Sequence, residues 1–282
     1  MDEISLVLLK DAERLRQVEE LQRQIWESHD YREVVPLHQL MAAAGAGGAV
    51  IGARAPDGTL IGFCYGFAGV RRGRPLFYSH MAGVIAEYRN GDIGFRLKRE
   101  QRRVALELGY DWMVWTYDPM VSMNAYFNLH KLGAAVRRYH VNYYGEMTDA
   151  LNRGLETDRF EVDWNLLDPR VEALMAAQAP PRTWAEAPAA LEGEPRGGDL
   201  HPGTPRLDLE APALLVEVPT DLRGMRARDP ALVRAWRQAT RAAFLHCLKQ
   251  GYAGVDVVLR RDGTVLRAWY VMVKEDHPGS WL

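Results

Sequence analysis

A chain of 282 residues with 48% hydrophobic and 26% charged side chains can form one large globular domain or two smaller ones. Its net charge of −2 gives no general attraction for nucleic acid or anionic lipid, so neither is expected as a partner. No apolar run approaches the ~20 residues that span a bilayer, and the acidic first residues lack the apolar core of a signal peptide. Because Cys64 and Cys247 have neither metal-ligand nor disulfide spacing, we expect a cytoplasmic protein without a metal.

The first part of the chain predicts a short strand, two helices and three further strands. Asp11 is placed to cap a helix with one apolar face, and a second short helix is predicted at residues 36–44. Pro56-Asp57-Gly58 favours a hairpin turn, because proline presets φ and glycine accepts a positive φ. Apolar runs that predict strands lie at residues 5–9, 49–55, 60–70 and 75–84. The last three runs predict an antiparallel meander.

Helices and strands are predicted to alternate through the next part of the chain. Residues 95–108 show helical periodicity, and the Arg, Lys and Glu side chains between the apolar positions are predicted to face water. Gln101-Arg102-Arg103 is predicted to belong to that solvated face. The predicted buried stripe comprises Leu97, Val104, Ala105 and Leu108. The later elements are a strand at 112–117, a helix at 124–132 closed by Gly133, and strands at 134–144 and 159–165.

The composition changes after residue 178. Six prolines lie among Gly, Ala and Glu between residues 179 and 206, and they predict a linker or an extended surface arm. Such a segment buries too little apolar surface to offset its ordering entropy. Beyond it, a strand at 213–218, a helix from Asp229-Pro230 to about Gln250 and a hairpin around Arg261-Asp262-Gly263 predict a βαββ block. This block could pack on the first domain or pair with its copy in a homodimer.

The clearest functional signal is the turn Tyr88-Arg89-Asn90-Gly91-Asp92-Ile93-Gly94. It joins a predicted strand to an amphipathic helix, so the first backbone N–H groups of that helix have no intrahelical acceptor. Such N–H groups, at the positive end of the helix dipole, are a ready site for a phosphate or pyrophosphate.

The segment from Phe77 to Gly133, with this turn between a strand and a helix, resembles the acyl-CoA-binding core of the GNAT N-acyltransferases. In that family the turn reads Arg or Gln, two residues, Gly, one residue, then Gly or Ala. Arg89 and Gly94 match the first and last positions. Asp92 stands at the inner glycine position, and Gly91 lies one residue earlier. This departure bears on how tightly CoA would bind, because a carboxylate repels a pyrophosphate that lies beside it.

The resemblance extends over about residues 4–166. The chain as a whole resembles bacterial GNAT proteins that have an added C-terminal region. It implies an α/β (α+β) fold with a mixed, mostly antiparallel central sheet flanked by helices. The implied domains are a GNAT-like acyl-CoA-binding domain at 1–167, a helix plus a Pro/Gly-rich linker at 168–212, and the smaller βαββ region at 213–282.

The resemblance also implies how acetyl-CoA or another acyl-CoA is held. The strand that ends near Val84 splits from its parallel neighbour, and pantetheine pairs with the open backbone groups as an added strand does. A strand N–H near the thioester carbonyl then stabilises the developing oxyanion, and losing such a donor costs ~3–4 kcal/mol. The implied cofactor-binding residues are Met81, Ala82, Gly83, Val84, Arg89, Asn90, Gly91, Asp92, Ile93, Gly94, Phe95, Asn124 and Asn128.

The acid that the family uses is missing from this chain. In GNAT proteins a tyrosine on the helix at 124–132 protonates the departing thiolate, and the matching residue here is Leu129. Its neighbours Tyr126, Asn128 and His130 could replace it, and Tyr126 is the predicted catalytic residue. An aromatic residue at such a position is also commonly part of a core.

A base must accept a proton from the acceptor amine, because a protonated amine is not a nucleophile. His80, on the splayed strand, is the first choice, and Glu87 after that strand is a second predicted catalytic residue. A strand histidine is also commonly a hydrogen-bonded structural residue.

These features predict an N-acyltransferase that moves an acetyl or succinyl group from acyl-CoA to the amine of a small molecule, such as an amino acid, by direct attack. The basic turn Arg71-Arg72-Gly73-Arg74 would favour an acid-bearing acyl group or acceptor, and it is otherwise a solvated surface. The alternative is a non-catalytic protein of the same fold that binds CoA or another anion, which Asp92 and Leu129 favour.

Overall fold

The computed structural model describes residues 4–27, 30–89, 91–145, 156–184 and 186–275. These residues form two compact units. The first unit contains residues 4–115 and 164–168, and the second contains residues 116–145, 156–163 and 169–275. The boundaries predicted from the sequence at 167 and 213 stay predictions of domain organisation.

The first unit is a sheet with helices packed against it. Its strands, in sheet order, are β1 (Ser5–Leu8), β2 (Ala49–Arg54), β3 (Leu60–Arg71), β4 (Arg74–Val84) and the first four residues of β5 (Trp112–Tyr117). Its helices are α1 (Ala12–Trp26), α2 (Leu37–Gly45) and α3 (Ile93–Glu107). Strands β1 to β4 pair antiparallel, whereas β4 and β5 pair parallel. The predicted meander is confirmed, and so is the mixed, mostly antiparallel α/β class.

Helix α1 begins where the sequence predicts. The Asp11 carboxylate accepts a hydrogen bond from the Arg14 backbone N–H at 2.9 Å, which satisfies one of the free donors of the first turn. Leu15, Val18 and Leu21 are buried along one face. The helix ends at Glu27, which takes a left-handed conformation with φ of 50°.

Helix α3 corrects the predicted solvated face. Leu97, Val104 and Ala105 are buried as predicted. Leu108 is 46% exposed, because it is the C-cap residue beyond the end of the helix. Lys98 and Gln101 are buried, so the prediction that the polar positions of this helix all face water is wrong.

In the second unit the strands follow the order β7-β6-β12-β13-β11-β8. Its strands are β6 (Ala135–His140), β7 (Arg159–Asn165, to Asp163 in this unit), β8 (Ala189–Leu191), β11 (Ala213–Val218), β12 (Tyr252–Asp262) and β13 (Val265–Lys274), and β9 (Gly193–Arg196) pairs with β10 (Asp199–Pro202). Its helices are α4 (Ser122–Ala125), α5 (Pro169–Met175), α6 (Leu222–Arg228) and α7 (Pro230–Lys249). A π-helical turn, Tyr126–Lys131, follows α4 directly.

The predicted βαββ block is present as β11, α7, β12 and β13, with α6 as an additional short helix. Asp229 caps α7 by accepting hydrogen bonds from the N–H groups of Ala231 and Leu232, at 2.9 and 3.0 Å. Pro230 occupies the first turn, where its missing N–H costs nothing.

The proline-rich segment contains three short strands, although its composition predicts a linker or arm. Strand β8 pairs parallel with β11, and Ala190 and Leu191 are buried. The Gly193 N–H donates to the buried Glu217 carboxylate at 2.6 Å. The order here therefore comes from an edge strand and a buried acceptor that lie elsewhere in the chain.

A buried ion pair holds α7 to the loop after β5. Arg237 donates two hydrogen bonds to the Asp118 carboxylate, at 2.8 and 2.6 Å. One turn further along the helix, Arg241 and the Tyr139 hydroxyl both donate to the buried Asp158. Each of these carboxylates loses its hydration and depends on its donors for compensation.

Within the described ranges, no helix is long and apolar enough to cross a membrane. The same part of the chain contains no group of three or more His, Cys, Asp or Glu side chains that could hold a metal ion.

We expect Arg237→Ala to lower the free energy of unfolding by about 3 kcal/mol, because the largely buried Asp118 carboxylate would lose its main partner. Urea denaturation followed by circular dichroism measures this change. Arg234→Ala, which removes an exposed arginine from the same helix, is the matched control and should change the stability by less than about 0.5 kcal/mol. Equal effects of the two substitutions would contradict the assigned role of the pair.

Candidate functional site

The pairing between strands β4 and β5 ends in the middle of β4. They pair at Phe77 with Met113 and at Tyr78 with Val114. Strand β4 then continues to Val84, and among the described residues no further β5 partner pairs with it. The edge of β4 from Ser79 to Val84 therefore carries backbone groups that an extended ligand could pair with.

A β-bulge lies at the point of divergence. Tyr65 of β3 pairs with Met81 and Gly66 pairs with Ser79, so His80 is the extra residue of β4. A bulge re-aims the side chain that it inserts and increases the local twist, and bulges are common next to active sites. The bulge therefore gives a local cause for both the placement of His80 and the parting of the strands.

His80 lies among aromatic rings. The centroids of Tyr65, Phe67 and Tyr78 are 5.8, 5.9 and 6.3 Å from the centroid of its imidazole. The imidazole remains accessible, but desolvation by these surroundings lowers its pKa below the ordinary 6.5. A larger fraction of His80 is therefore neutral at pH 7 than for a fully solvated histidine, and the neutral ring is the form that accepts a proton.

The turn before α3 contains an aspartate in the left-handed conformation. Asp92 has φ of 58° and ψ of 11°, in the left-handed region that glycine favours and aspartate tolerates. Gly91 has an ordinary φ, and a Cβ atom there would meet only normal contacts, the nearest at 3.5 Å. The turn therefore does not need a glycine at position 91. The left-handed conformation falls instead on Asp92.

The first turn of α3 has backbone donors that the helix itself does not satisfy. Asp92 is the N-cap residue, but its side chain makes no capping hydrogen bond. The N–H groups of Ile93, Gly94 and Phe95 belong to the first turn and have no intrahelical acceptor. Asn90, predicted as part of this site, lies outside the described residues.

Two of the predicted cofactor-binding residues have structural roles. Arg89 donates to the Val84 carbonyl at 3.1 Å and to the Ile25 carbonyl at 3.3 Å, and so ties the end of β4 to the end of α1. A Cβ atom on Gly83 would lie 2.8 Å from Ile25 and 3.2 Å from Trp26. The space that glycine leaves at position 83 is therefore filled by α1.

The other predicted residues divide between the two units. Ala82 and Glu87 are exposed in the first unit, Met81 is half-buried, and Val84 is buried at the end of β4. In the second unit, Asn124 is exposed on α4, Tyr126 is half-buried and Asn128 is buried in the π-helical turn. Leu129, at the position where the resemblance predicts a tyrosine, is also buried.

Two arginines of the basic turn between β3 and β4 lie over an aromatic ring. The guanidinium carbons of Arg71 and Arg74 lie 5.4 and 5.3 Å from the Trp112 ring centroid, and Arg74 pairs with Asp111 at 3.0 Å. His80 lies six residues further along β4, which is about 20 Å at the usual rise of a strand. This turn is therefore at the far end of β4 from the helix N-terminus.

Sequence reasoning missed a buried lysine behind β4. Lys98 is 3% exposed, and its ammonium lies 3.8 Å from the Trp115 ring centroid. It donates to Ser79 Oγ at 3.0 Å and to Gln101 Oε1 at 2.9 Å. Burial lowers the pKa of Lys98 to about 7, while its hydrogen bonds and the aromatic ring favour the charged form. The only sequence signal was its position next to Leu97 on the helix.

No model of a known protein family matches this sequence, and no curated protein matches it either. Solved acetyltransferase structures are similar to this chain, and GNAT-family members are among them. An IAA acetyltransferase from Bacillus cereus shares 15% identity, over 57% of this chain and 99% of that one, with a TM-score of 0.43. A GNAT family acetyltransferase from Elizabethkingia anophelis, solved with acetyl-CoA bound, shares 16% identity over 58% and 99% of the two chains, with a TM-score of 0.45. The ribosomal-protein-S18-alanine N-acetyltransferase from Escherichia coli shares 11% identity over 58% and 94%, with a TM-score of 0.46.

Lys98 predicts a stability that rises with pH. Its pKa is 10.5 in the unfolded chain and about 7 in the fold, so the unfolded state binds more protons between these values and stability increases with pH. We expect a gain of about 2 kcal/mol from pH 7.5 to 9, measured by urea denaturation. Lys98→Met should remove this gain, whereas Lys10→Met, at an exposed site of the same unit, should keep it. A pH dependence that survives Lys98→Met would refute the assignment.

Proposed function

We propose that this chain is an N-acyltransferase that moves an acyl group from acyl-CoA to the amine of a small molecule by direct attack. The observation that carries the proposal is the end of β4–β5 pairing at Tyr78, next to the bulge that contains His80. An opened strand edge, a histidine on it and an open helix N-terminus follow one another along the chain.

Each part of the acyl carrier has a matching group in the first unit. The two amides of pantetheine fit the edge of β4 between Ser79 and Val84, where they would complete the backbone hydrogen bonds as an added strand does. The pyrophosphate fits the N–H groups of Ile93, Gly94 and Phe95. A backbone N–H of β4 would then face the thioester carbonyl and stabilise the negative charge on its oxygen in the transition state.

His80 is the base in this proposal. The neutral imidazole accepts the proton of the acceptor amine, whose lone pair then attacks the thioester carbon. A C–N bond forms, the C–S bond breaks, and CoA leaves as the thiolate or thiol. The lowered pKa of His80 keeps the ring available as an acceptor near neutral pH.

Direct attack fits the state of the two thiols better than an acyl-cysteine intermediate does. Cys64 and Cys247 are both buried, and burial raises their pKa values to about 12 and about 11. A cysteine must be accessible and largely deprotonated to act as a nucleophile, and neither condition holds for these two.

The surroundings of His80 favour an amine with an apolar or aromatic body. Phe67 and Tyr78 are stacked with centroids 5.2 Å apart, and both are half-buried beside the imidazole. Aromatic faces attract an ammonium group and pack against apolar carbon, so they suit an amine before its proton is removed. Acetyl is the acyl group favoured here, because the basic turn is engaged with Trp112 at the other end of β4.

A non-catalytic protein that binds CoA or another anion is the second candidate. Asp92 brings a carboxylate to the helix N-terminus, and the buried Leu129 replaces the tyrosine that the family uses as an acid. Release of free thiol from acetyl-CoA across a panel of amines separates the two candidates, since only the enzyme produces it. A homodimer through the βαββ block stays a prediction and is compatible with either.

We expect His80→Ala to lower kcat by about 10²–10⁴-fold without changing the Kd for CoA, because a general base acts on the amine and not on the carrier. Thiol release and isothermal titration calorimetry measure the two quantities. Wild-type activity should fall only below pH 6.5, as His80 becomes protonated, since its pKa is lowered. His246→Ala, on α7, is the control. Unchanged turnover in His80→Ala would remove His80 from the mechanism.

We expect Asp92→Asn to bind CoA more tightly, by about threefold, because one negative charge about 6 Å from the pyrophosphate opposes binding by roughly 0.7 kcal/mol in water. Asparagine tolerates the left-handed conformation as aspartate does, so the shape of the turn is kept. Asp57→Asn, in the turn between β2 and β3, is the charge-matched control. If both variants bind CoA as the wild type does, the phosphates do not lie at this turn.

A further inference from the structure

A buried polar cluster of Lys98, Ser79 and Gln101 lies between α3 and β4 in the first unit. The Lys98 amine donates to Ser79 Oγ at 3.0 Å and to Gln101 Oε1 at 2.9 Å, and Ser79 Oγ donates to the same Gln101 oxygen at 2.8 Å. The three side chains therefore form a closed set of hydrogen bonds. The exposed fractions of Lys98, Ser79 and Gln101 are 3%, 4% and 0%, so little water reaches these bonds.

The serine of this cluster stands where two features of β4 meet. It follows Tyr78, the last residue of β4 for which the described chain shows a β5 partner. It precedes His80, the extra residue of the bulge, and its own partner on β3 is Gly66. The hydrogen bonds of Ser79 to α3 therefore act on the residue next to both the open strand edge and the imidazole.

The cluster is costly to bury. Within the described ranges Lys98 has no carboxylate partner, and its other close neighbours are Met113 Sδ at 3.6 Å and the Trp115 ring at 3.8 Å. Gln101 Nε2 is buried and, in the same part of the chain, has no hydrogen-bond partner. Apolar side chains of similar size would avoid both costs. In some proteins such groups are retained because they select one arrangement out of several.

The arrangement that this cluster selects is the position of the bulge. If Ser79 were the extra residue instead, His80 would pair with Gly66. Partners in a sheet point to the same face, so the imidazole would take the place toward α3 that the Ser79 side chain now fills. Lys98 and Gln101 would then face an imidazole in a space that holds a hydroxyl. The hydrogen bonds to Ser79 therefore oppose this shift of register.

We propose that Lys98 is a positioning residue for His80, because its hydrogen bond to Ser79 keeps His80 as the extra residue of the bulge, among the aromatic rings of β3 and β4. Its importance for the rate rests on the proposed function, in which His80 is the base. Lys98 itself transfers no proton in this proposal. Its amine has at least two N–H donors in either protonation state, so both hydrogen bonds persist after deprotonation.

Nuclear Overhauser effects between ring protons measure the position of the imidazole without any substrate. In the wild type they should connect His80 to Phe67 and Tyr78, whose ring centroids lie 5.9 and 6.3 Å from that of the imidazole. Lys98→Met removes the donor and keeps a side chain of similar shape, whereas Ser79→Ala removes the acceptor and keeps the amine. Both variants should lose these effects.

The kinetics of the same variants test whether the two residues act together. Each should lower kcat by about tenfold, because a displacement of about 1 Å in a catalytic group can cost up to about 10²-fold. The double variant should be no slower than the slower single variant, since both substitutions break one hydrogen bond. If the two effects on kcat multiply instead, Lys98 does not act through Ser79 and the inference is overturned.

Cys64→Ala is the matched control. Cys64 is buried on β3, and its Sγ lies 3.6 Å from the Leu97 carbonyl oxygen of α3. This variant therefore loosens the packing of α3 on the sheet without removing a member of the cluster. It should keep both the ring-to-ring effects of His80 and the wild-type kcat. Loss of either in Cys64→Ala would assign the result to general loosening and overturn the role of Lys98.

The outcomes separate the two proposals. If the wild type releases no thiol with any amine, the proposed function fails, and the ring-to-ring effects alone decide whether Lys98 positions His80. If Lys98→Met and Ser79→Ala keep these effects, the inference is overturned even in an active enzyme. Circular dichroism shows whether each variant is folded, and if Lys98→Met is not, Ser79→Ala decides.

Discussion

Hydrogen bonding along one edge of β4 is the constraint on which the candidate site depends. Backbone N–H and C=O groups need partners, and β4 has a parallel partner only as far as Tyr78. Beyond that residue the edge must be satisfied by water or by an extended ligand. In the proposed function, the pantetheine arm with its two amides is this ligand.

Local departures from ideal geometry place His80, Asp92 and the pair formed by His130 and Asp256. His80 is the inserted residue of a bulge, and Asp92 is held at a positive φ just before α3. In the second unit, a π-helical turn and a bulge bring His130 and Asp256 together. Each departure costs some free energy compared with a regular helix or strand, and each puts a side chain or an N–H group where a regular element would not.

Buried charged groups are the other organising feature, and several of them have partners close by. Lys98 lies among Ser79, Gln101 and an indole ring, and Asp256 accepts from three donors. Arg237 and Asp118 neutralise each other through two hydrogen bonds. Removal of a charge from water is costly, so these groups favour arrangements of the fold in which an oppositely charged or hydrogen-bonding partner is close by.

The sequence by itself determined the elements whose cause is local. Asp11 and Asp229 predicted two helix starts, Pro56-Asp57-Gly58 predicted the hairpin, and the turn before residue 95 predicted the start of a further helix. These signals depend on residues within a few positions of one another, through φ preferences and capping hydrogen bonds. They were enough to predict the meander and the βαββ block.

Only the tertiary structure decided which polar side chains are buried and which residues meet. Lys98 and Gln101 were predicted to face water, because helical periodicity marks the apolar stripe but not the width of the surface that covers it. Strand β8 of the proline-rich segment depends on β11, and the partner of His130 lies 126 residues away on β12. Contacts of this kind are set by the pairing of distant strands, which no pattern within one segment encodes.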